Sequence, residues 1–212
     1  MEVKRDDKKM KEFRRILRED KLERGFKRNS NGMNFERYRE DNEWKIYKKQ
    51  LSGDDLEDYM VSYVKDWFEG TDYKIIHDLV LGNYEYQLDI LLVTNYGCFI
   101  IEVKNWSGTF TINNGDWVKE DSNGKRFEKN GYENPTQQVK KHKKALKRLL
   151  DGYCDIPIYT FIYIQCDELY SDTIQINNNN KEILKEIQKI IINNSKAIKP
   201  YIVGDLVTYI VE

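Results

Sequence analysis

The chain is poor in residues that break or staple a fold: its 212 residues include 3 prolines, 3 cysteines and 2 histidines. Cys98, Cys154 and Cys166 are far apart, odd in number, and each lies in or beside an apolar stretch. That pattern offers no zinc-ligand spacing and no disulfide framework, so reduced core thiols are expected. No apolar run approaches the ~18 residues of a membrane span. "MEVKRDDKKMKEF" lacks the apolar region of a signal peptide. A cytoplasmic protein with no membrane partner is therefore expected. An excess of charge of one sign is missing too, since 35 Lys and Arg against 36 Asp and Glu leave a net −1. Any affinity for a polyanion must come from local clustering of lysine and arginine.

What is present divides into a charged arm and a periodic remainder. Residues 1–50 are dense in charges of both signs, with apolar marks at Met10, Phe13, Ile16 and Leu17 that fit a narrow helical stripe. This arm is expected to be helical, with a domain over 51–212. From Leu56 the helical spacing of Met60, Val64, Trp67 and Phe68 predicts a helix ending at Gly70. "YKIIHDLVL", "QLDILLV" and "CFIIEVK" read as three strands. "GTFTINNGDWVKE" adds one or two more, with a turn at Asn113 to Gly115. Pro135 suits the first turn of a helix with Val139, Leu146, Leu149 and Leu150 on its apolar face, stopping at Asp151-Gly152. A strand at "IPIYTFIYIQC", a helix carrying Ile183, Leu184, Ile187 and Ile191, and an apolar segment from Tyr201 to Val211 complete the chain. The order predicts an α/β sandwich around a mixed sheet.

Three charges sit oddly in this plan. Strand alternation puts Ile100, Glu102 and Lys104 on one face and Phe99, Ile101 and Val103 on the other. A two-residue loop at Asn95-Tyr96 would pair Thr94 with Gly97, and hence Asp89 with Glu102, about 5 Å apart at Cβ. A three-residue loop with a bulge at Gly97 would move the register by one and turn the acids to opposite sides. In the first register two desolvated carboxylates repel unless a cation lies between them. Oxygen ligands from Asp89 and Glu102, with water and the backbone carbonyl of Val103, suit Mg²⁺ or Mn²⁺ better than zinc. Lys104 would then stabilise charge developing on a phosphate. A Glu-x-Lys pair alone is usually an exposed ion pair on a strand edge. Asp89 argues against that, because an unpaired acid inside a strand is costly.

"QLDILLV...YGCFIIEVKNWSGTF", then Trp117 and "NPTQQVKKHKKAL", together resemble the nuclease-related domain (NERD) family, a branch of the PD-(D/E)xK nucleases, over roughly Gly53 to Ile164. The resemblance implies a restriction-endonuclease-like fold with an αβββαβ core, and divalent-metal-dependent nuclease activity. It places Asp89, Glu102 and Lys104 on the family's Asp and Glu-x-Lys positions and Gln87 on the polar residue before the Asp. Gln138 falls on the glutamine of the following helix and Glu57 on the acid of the first helix. Leu56 departs from the glycine common before that acid.

Gln138, which can donate and accept, suits a phosphate or water beside a metal, or else stitches its helix to the sheet. Trp106 reads as packing, His142 as a boundary residue one turn beyond Gln138, and His77 as a strand residue without an evident partner. Lys140, Lys141, Lys144, Lys147 and Arg148, with Lys143, make the helix after Pro135 basic, and Lys125, Arg126 and Lys129 precede it. Such a strip fits phosphates without reading sequence, although a solvated helix face has the same composition. The expected partner is DNA, with RNA open. A second copy or a helicase is compatible with the chain, which carries no phosphate-binding Walker loop. A binding module with little hydrolysis is the competing function.

Overall fold

The computed structural model describes residues 2–3, 53–82, 85–120, 126–129, 134–196 and 200–211. The expected helical arm lies outside these, apart from a two-residue strand, β1 (Glu2–Val3). Helix α1 covers 53–67. Strands β2 (Tyr73–Leu81), β3 (Tyr86–Thr94) and β4 (Gly97–Asn105) follow, then the short strands β5 (Thr109–Asn113), β6 (Asp116–Glu120) and β7 (Arg126–Lys129). Helix α2 (Pro135–Leu150) leads to β8 (Ile158–Gln165), β9 (Glu168–Ser171) and β10 (Ile176–Asn177). Helices α3 (Asn180–Ser195) and α4 (Val203–Val211) complete the described chain.

One mixed sheet was expected, and there are two. The first has six strands in the order β1-β2-β3-β4-β8-β10; the second has four in the order β7-β6-β5-β9. In the first, β2, β3 and β4 are antiparallel and β8 returns parallel to β4. The parallel return needs a crossover, which β5 to β7 and α2 supply. The second sheet gains its fourth strand from β9, which after the crossover pairs in parallel with β5. The apolar segment from Tyr201 resolves as α4.

Alternation along the central strands decides which helix lies where. Ile90, Leu92, Phe99, Ile101 and Val103 face one way and pack with Met60 and Val64 of α1 and Ile183, Leu184 and Ile187 of α3. Leu91, Val93, Cys98 and Ile100 face the other way and pack with Leu146 and Leu150 of α2 and Val203, Leu206 and Val207 of α4. Each such fully buried side chain contributes about 1.5–3 kcal/mol. A third cluster joins Phe110, Ile112 and Trp117 of the second sheet to Val139 of α2 and Ile162 and Ile164 of β8. Trp106 packs into it, tilted against Phe110 and edge-on to Trp117.

Two turns fix the frame of the site. Thr94 pairs with Gly97, so the β3–β4 hairpin has the two-residue loop Asn95-Tyr96. Asn113 pairs with Asp116 across Asn114 and Gly115, whose φ values of 52° and 85° are those of a hairpin turn with two left-handed residues. This second turn docks on the start of α2: Asn134 Nδ2 donates to the Gly115 carbonyl at 3.1 Å and Trp117 Nε1 donates to Thr136 Oγ1 at 2.8 Å. Asn134 also caps α2, its Oδ1 accepting the Gln137 amide at 3.2 Å, and Pro135 takes the first turn.

Candidate active site

The hairpin register carries the acids to one place and then stops. Pairing runs from Thr94–Gly97 to Ile90–Ile101, and the next pair in that register would be Asp89 with Glu102. There the ladder is replaced by a side-chain contact, in which the Val103 amide donates to Asp89 Oδ2 at 2.7 Å. In an extended strand a residue's carbonyl leaves on the same edge as its amide, so the Val103 carbonyl faces the Asp89 side as well. Asp89 and Glu102 are both buried, Glu102 completely.

Lys104, two residues along on the same face, is half-buried and places Nζ on Glu102 Oε1 as an ion pair. The other oxygen, Glu102 Oε2, lies 3.3 Å from Nδ1 of His142 on α2. The distance suits a hydrogen bond but the direction does not, and neither atom has another partner. His142 is therefore part of the site rather than a boundary residue, with 4% of its surface exposed. Gln138 is half-buried one turn earlier on the same helix.

On the other flank, β2 brings a third acid that the sequence did not single out. His77 pairs with Ile90 and Leu79 with Leu88, so Asp78 falls opposite Asp89. Asp78 has φ 57°, a left-handed conformation that breaks the ladder at this residue. Its Oδ1 accepts from Gln87 Nε2 at 2.8 Å, and His77 Nδ1 lies 3.6 Å from its Oδ2. His77 thus has a partner, and Gln87 acts on Asp78. Asp78, Asp89 and Glu102 form a row across three neighbouring strands. An acid between His77 and Leu79 was the available signal, of the same kind as Asp89 inside "QLDILLV".

The ionisation of these groups follows from crowding. Burial, then the Glu102 charge, pushes Asp89 well above the ordinary carboxylate range, against the pull of Lys104 and the Val103 amide. Burial pushes Glu57 of α1 up to about 10, helped by Asp89, Asp78 and Asp54 and opposed by Lys104. Glu57 therefore lies within electrostatic reach of the row. Burial acts to raise Glu102 too, but Lys104 and His142 outweigh it and hold this carboxyl below its ordinary value. Burial disfavours the Lys104 ammonium, yet Glu102, Asp89 and Glu57 hold its pKa above the ordinary value. Glu102 is thus shifted toward its charged form and Asp89 and Glu57 toward their neutral forms, as crowding of buried carboxylates requires.

This donor set fits a hard divalent cation. A buried carboxylate oxygen without a hydrogen-bond partner, Glu102 Oε2, is uncommon and calls for an explanation such as an ion. Among the described residues no group of three or more His, Cys, Asp or Glu side chains is arranged to hold a metal ion. Mg²⁺ needs no such group, since one or two carboxylates with water and substrate oxygens suffice. Lys140, Lys141, Lys144, Lys147 and Arg148 all lie on the exposed face of α2. Lys125 lies outside the described residues, and of Arg126 and Lys129 only the strand β7 is described.

The family model of the nuclease-related domain (NERD) matches residues 52–165, more than half of the chain. The chain belongs to the NERD family. The match covers α1, the three antiparallel strands, α2 and β8, and so includes every element that carries an acid or amide of the site. It ends at Gln165, so α3 and α4 of this NERD protein lie beyond it. No curated protein and no solved structure matches the chain.

Proposed function

We propose that this NERD protein is a divalent-metal-dependent nuclease that hydrolyses phosphodiester bonds in DNA. The observation that carries the reading is Glu102: fully buried, ionised beside Lys104, with its second oxygen left without a hydrogen bond. An ion pair built for stability alone would satisfy both oxygens, since a buried charge costs several kcal/mol unless paired and bonded.

Asp89, Glu102 and the Val103 carbonyl would hold Mg²⁺ or Mn²⁺. When bound, the cation supplies charge stabilisation at the phosphate and a water of lowered pKa. The chain's own residues do the rest. Lys104 keeps its proton and places positive charge where the phosphate becomes more negative. Gln138 orients a water or phosphate oxygen by donating or accepting. Glu57, pushed toward its neutral form by burial and the nearby acids, would orient a water. The exposed lysines and Arg148 of α2 hold the DNA backbone by charge, without reading bases. Hydrolysis adds water across one P–O bond, leaving phosphate on one fragment and hydroxyl on the other.

Calorimetric titration of the full chain with Mn²⁺ tests this reading. Heat from a site in the wild type that is absent from Asp89→Asn and Glu102→Gln supports it. A wild type that binds neither Mn²⁺ nor Mg²⁺ overturns it and leaves a nucleic-acid-binding module on the nuclease fold.

A further inference from the structure

Strand β8 is a sheet edge for half of its length. β4 pairs with it from Ile158 to Gln165, but on the other side β10 pairs only with Ile162 and Tyr163. The Ile162 amide points to that outer side, where it donates to the Gln175 carbonyl at 2.8 Å. Backbone groups alternate along a strand, so the amides and carbonyls of Ile158 and Thr160 point outward as well. Among the described residues no backbone group bonds them there. The chain leading into β10 does not extend the ladder, because it turns at 173–176, where the Ile176 amide donates to the Thr173 carbonyl at 3.3 Å.

A cleft of about 330 Å³ opens on this edge, lined by Val139 and Lys143 of α2, Ile190 of α3, and Thr160 and Phe161 of β8. Helices α2 and α3 pack on opposite faces of the sheet, so a cleft that touches both lies at its edge. Lys143 is the one charged residue lining it, and among the described residues its ammonium has no carboxylate partner. Lys104 of the site pairs with Ile164, four residues beyond Thr160, or about 13 Å along the strand.

We propose that this edge docks an extended peptide segment of a partner protein, which adds a strand beside Ile158 and Thr160. Its backbone takes the outward amides and carbonyls of β8. On alternate positions an acidic side chain meets Lys143 and apolar side chains meet Phe161 and Ile190. Unpaired main chain favours a peptide over DNA, which offers no backbone N–H. A second copy is disfavoured, because symmetric pairing of two such edges brings two Lys143 side chains together. The docking is independent of the metal reading.

The probe is an acetylated, amidated peptide in which aspartate alternates with valine, and the control has lysine in place of aspartate. ¹H–¹⁵N spectra and amide exchange of the full chain are recorded with each. The aspartate peptide should shift the Ile158 and Thr160 amides and slow their exchange, and the lysine peptide should do neither. Lys143→Glu should weaken binding of the aspartate peptide about tenfold or more. Thr160→Pro removes the outward amide but spares the β4 ladder, and should weaken it similarly, while Thr160→Val keeps the amide and should bind as wild type does. Circular dichroism checks folding, and Lys143→Glu decides alone if Thr160→Pro does not fold. Unshifted Ile158 and Thr160 amides, or wild-type affinity in Lys143→Glu, overturn the proposal. So does a Thr160 amide that exchanges slowly in the free protein, or that shifts with protein concentration or with a DNA oligonucleotide instead of the peptide.

Discussion

Asp89 accepts the backbone amide of Val103 at 2.7 Å, and the ladder between β3 and β4 ends at that bond. A carboxylate has replaced a backbone carbonyl as the acceptor, which lets the strands part where the acids sit and turns the Val103 carbonyl toward the same space. The site is thus made by an interruption of the sheet.

That interruption has a cost that mutation should expose. Asp89 is buried beside Glu102, which pushes its pKa up. Asparagine keeps an acceptor for the Val103 amide and removes the ionisable group. Asp89→Asn should therefore melt at or above the wild-type temperature in chelator while losing Mn²⁺ binding. Asp89→Ala leaves the Val103 amide unpaired and should be less stable by about 1–3 kcal/mol. Urea denaturation of both variants in chelator checks the order.

Lys104 is the main counter-charge of a buried acid. Removing one partner of such a pair costs about 3–5 kcal/mol, and partial exposure of Lys104 puts the expected loss at the lower end, about 3 kcal/mol. Lys104→Met should be destabilised by that amount, whereas Lys104→Met combined with Glu102→Gln should recover most of it. Equal losses in the single and double variants would show that the pair is not coupled.

Gly115 tests whether the turn positions the helix of the site. Its φ is 85°, and a Cβ there would come within 2.9 Å of Thr136 Cγ2. Gly115→Ala should cost about 1–2 kcal/mol for the left-handed backbone alone. It should also weaken Mn²⁺ binding, because the displaced residue is at the start of α2, although Gly115 touches none of the acids.

Much of this was legible in the sequence because it is local. The alternation that separates Glu102 from Val103 and the start of α2 at Pro135 depend on residues within a few positions of one another, whereas the hairpin loop was open between Asn95-Tyr96 and a bulged loop through Gly97 until the Thr94–Gly97 pair decided it. The second sheet was not legible, because β9 pairs with β5 across more than fifty residues, as in Thr109 with Glu168. His142 was missed for a related reason. Its spacing from Gln138 places the two on one helix face, but only packing of α2 on β3 and β4 brings that face to Glu102. Asp78 needed the register of β2, which its own left-handed backbone interrupts.

Cys98 offers a pH test of the core. Burial pushes its thiol from the ordinary 9.0 up to about 12, with Cys154 adding to the shift. The folded state then holds a proton that the unfolded chain releases, so this group's contribution to stability is full below about pH 9 and lost toward pH 12. Iodoacetamide at pH 8.5 should leave Cys98 unmodified in the native protein and label it in urea, as peptide mass mapping would show.

The basic face of α2 predicts a salt dependence. Lys147→Ala with Arg148→Ala removes two exposed charges and should lower the slope of log affinity against log salt by about 2 for double-stranded DNA. Fluorescence anisotropy over a salt series measures it, and an unchanged slope would place the DNA elsewhere.

Cleavage of supercoiled and linear DNA by the purified protein tests whether Glu102 serves a cation-dependent hydrolysis. Wild type and Glu102→Gln are compared in Mn²⁺, in Mg²⁺ and in chelator. Product is expected from the wild type with metal only, and none from Glu102→Gln. Cleavage that survives chelator, or that Glu102→Gln retains, would contradict it.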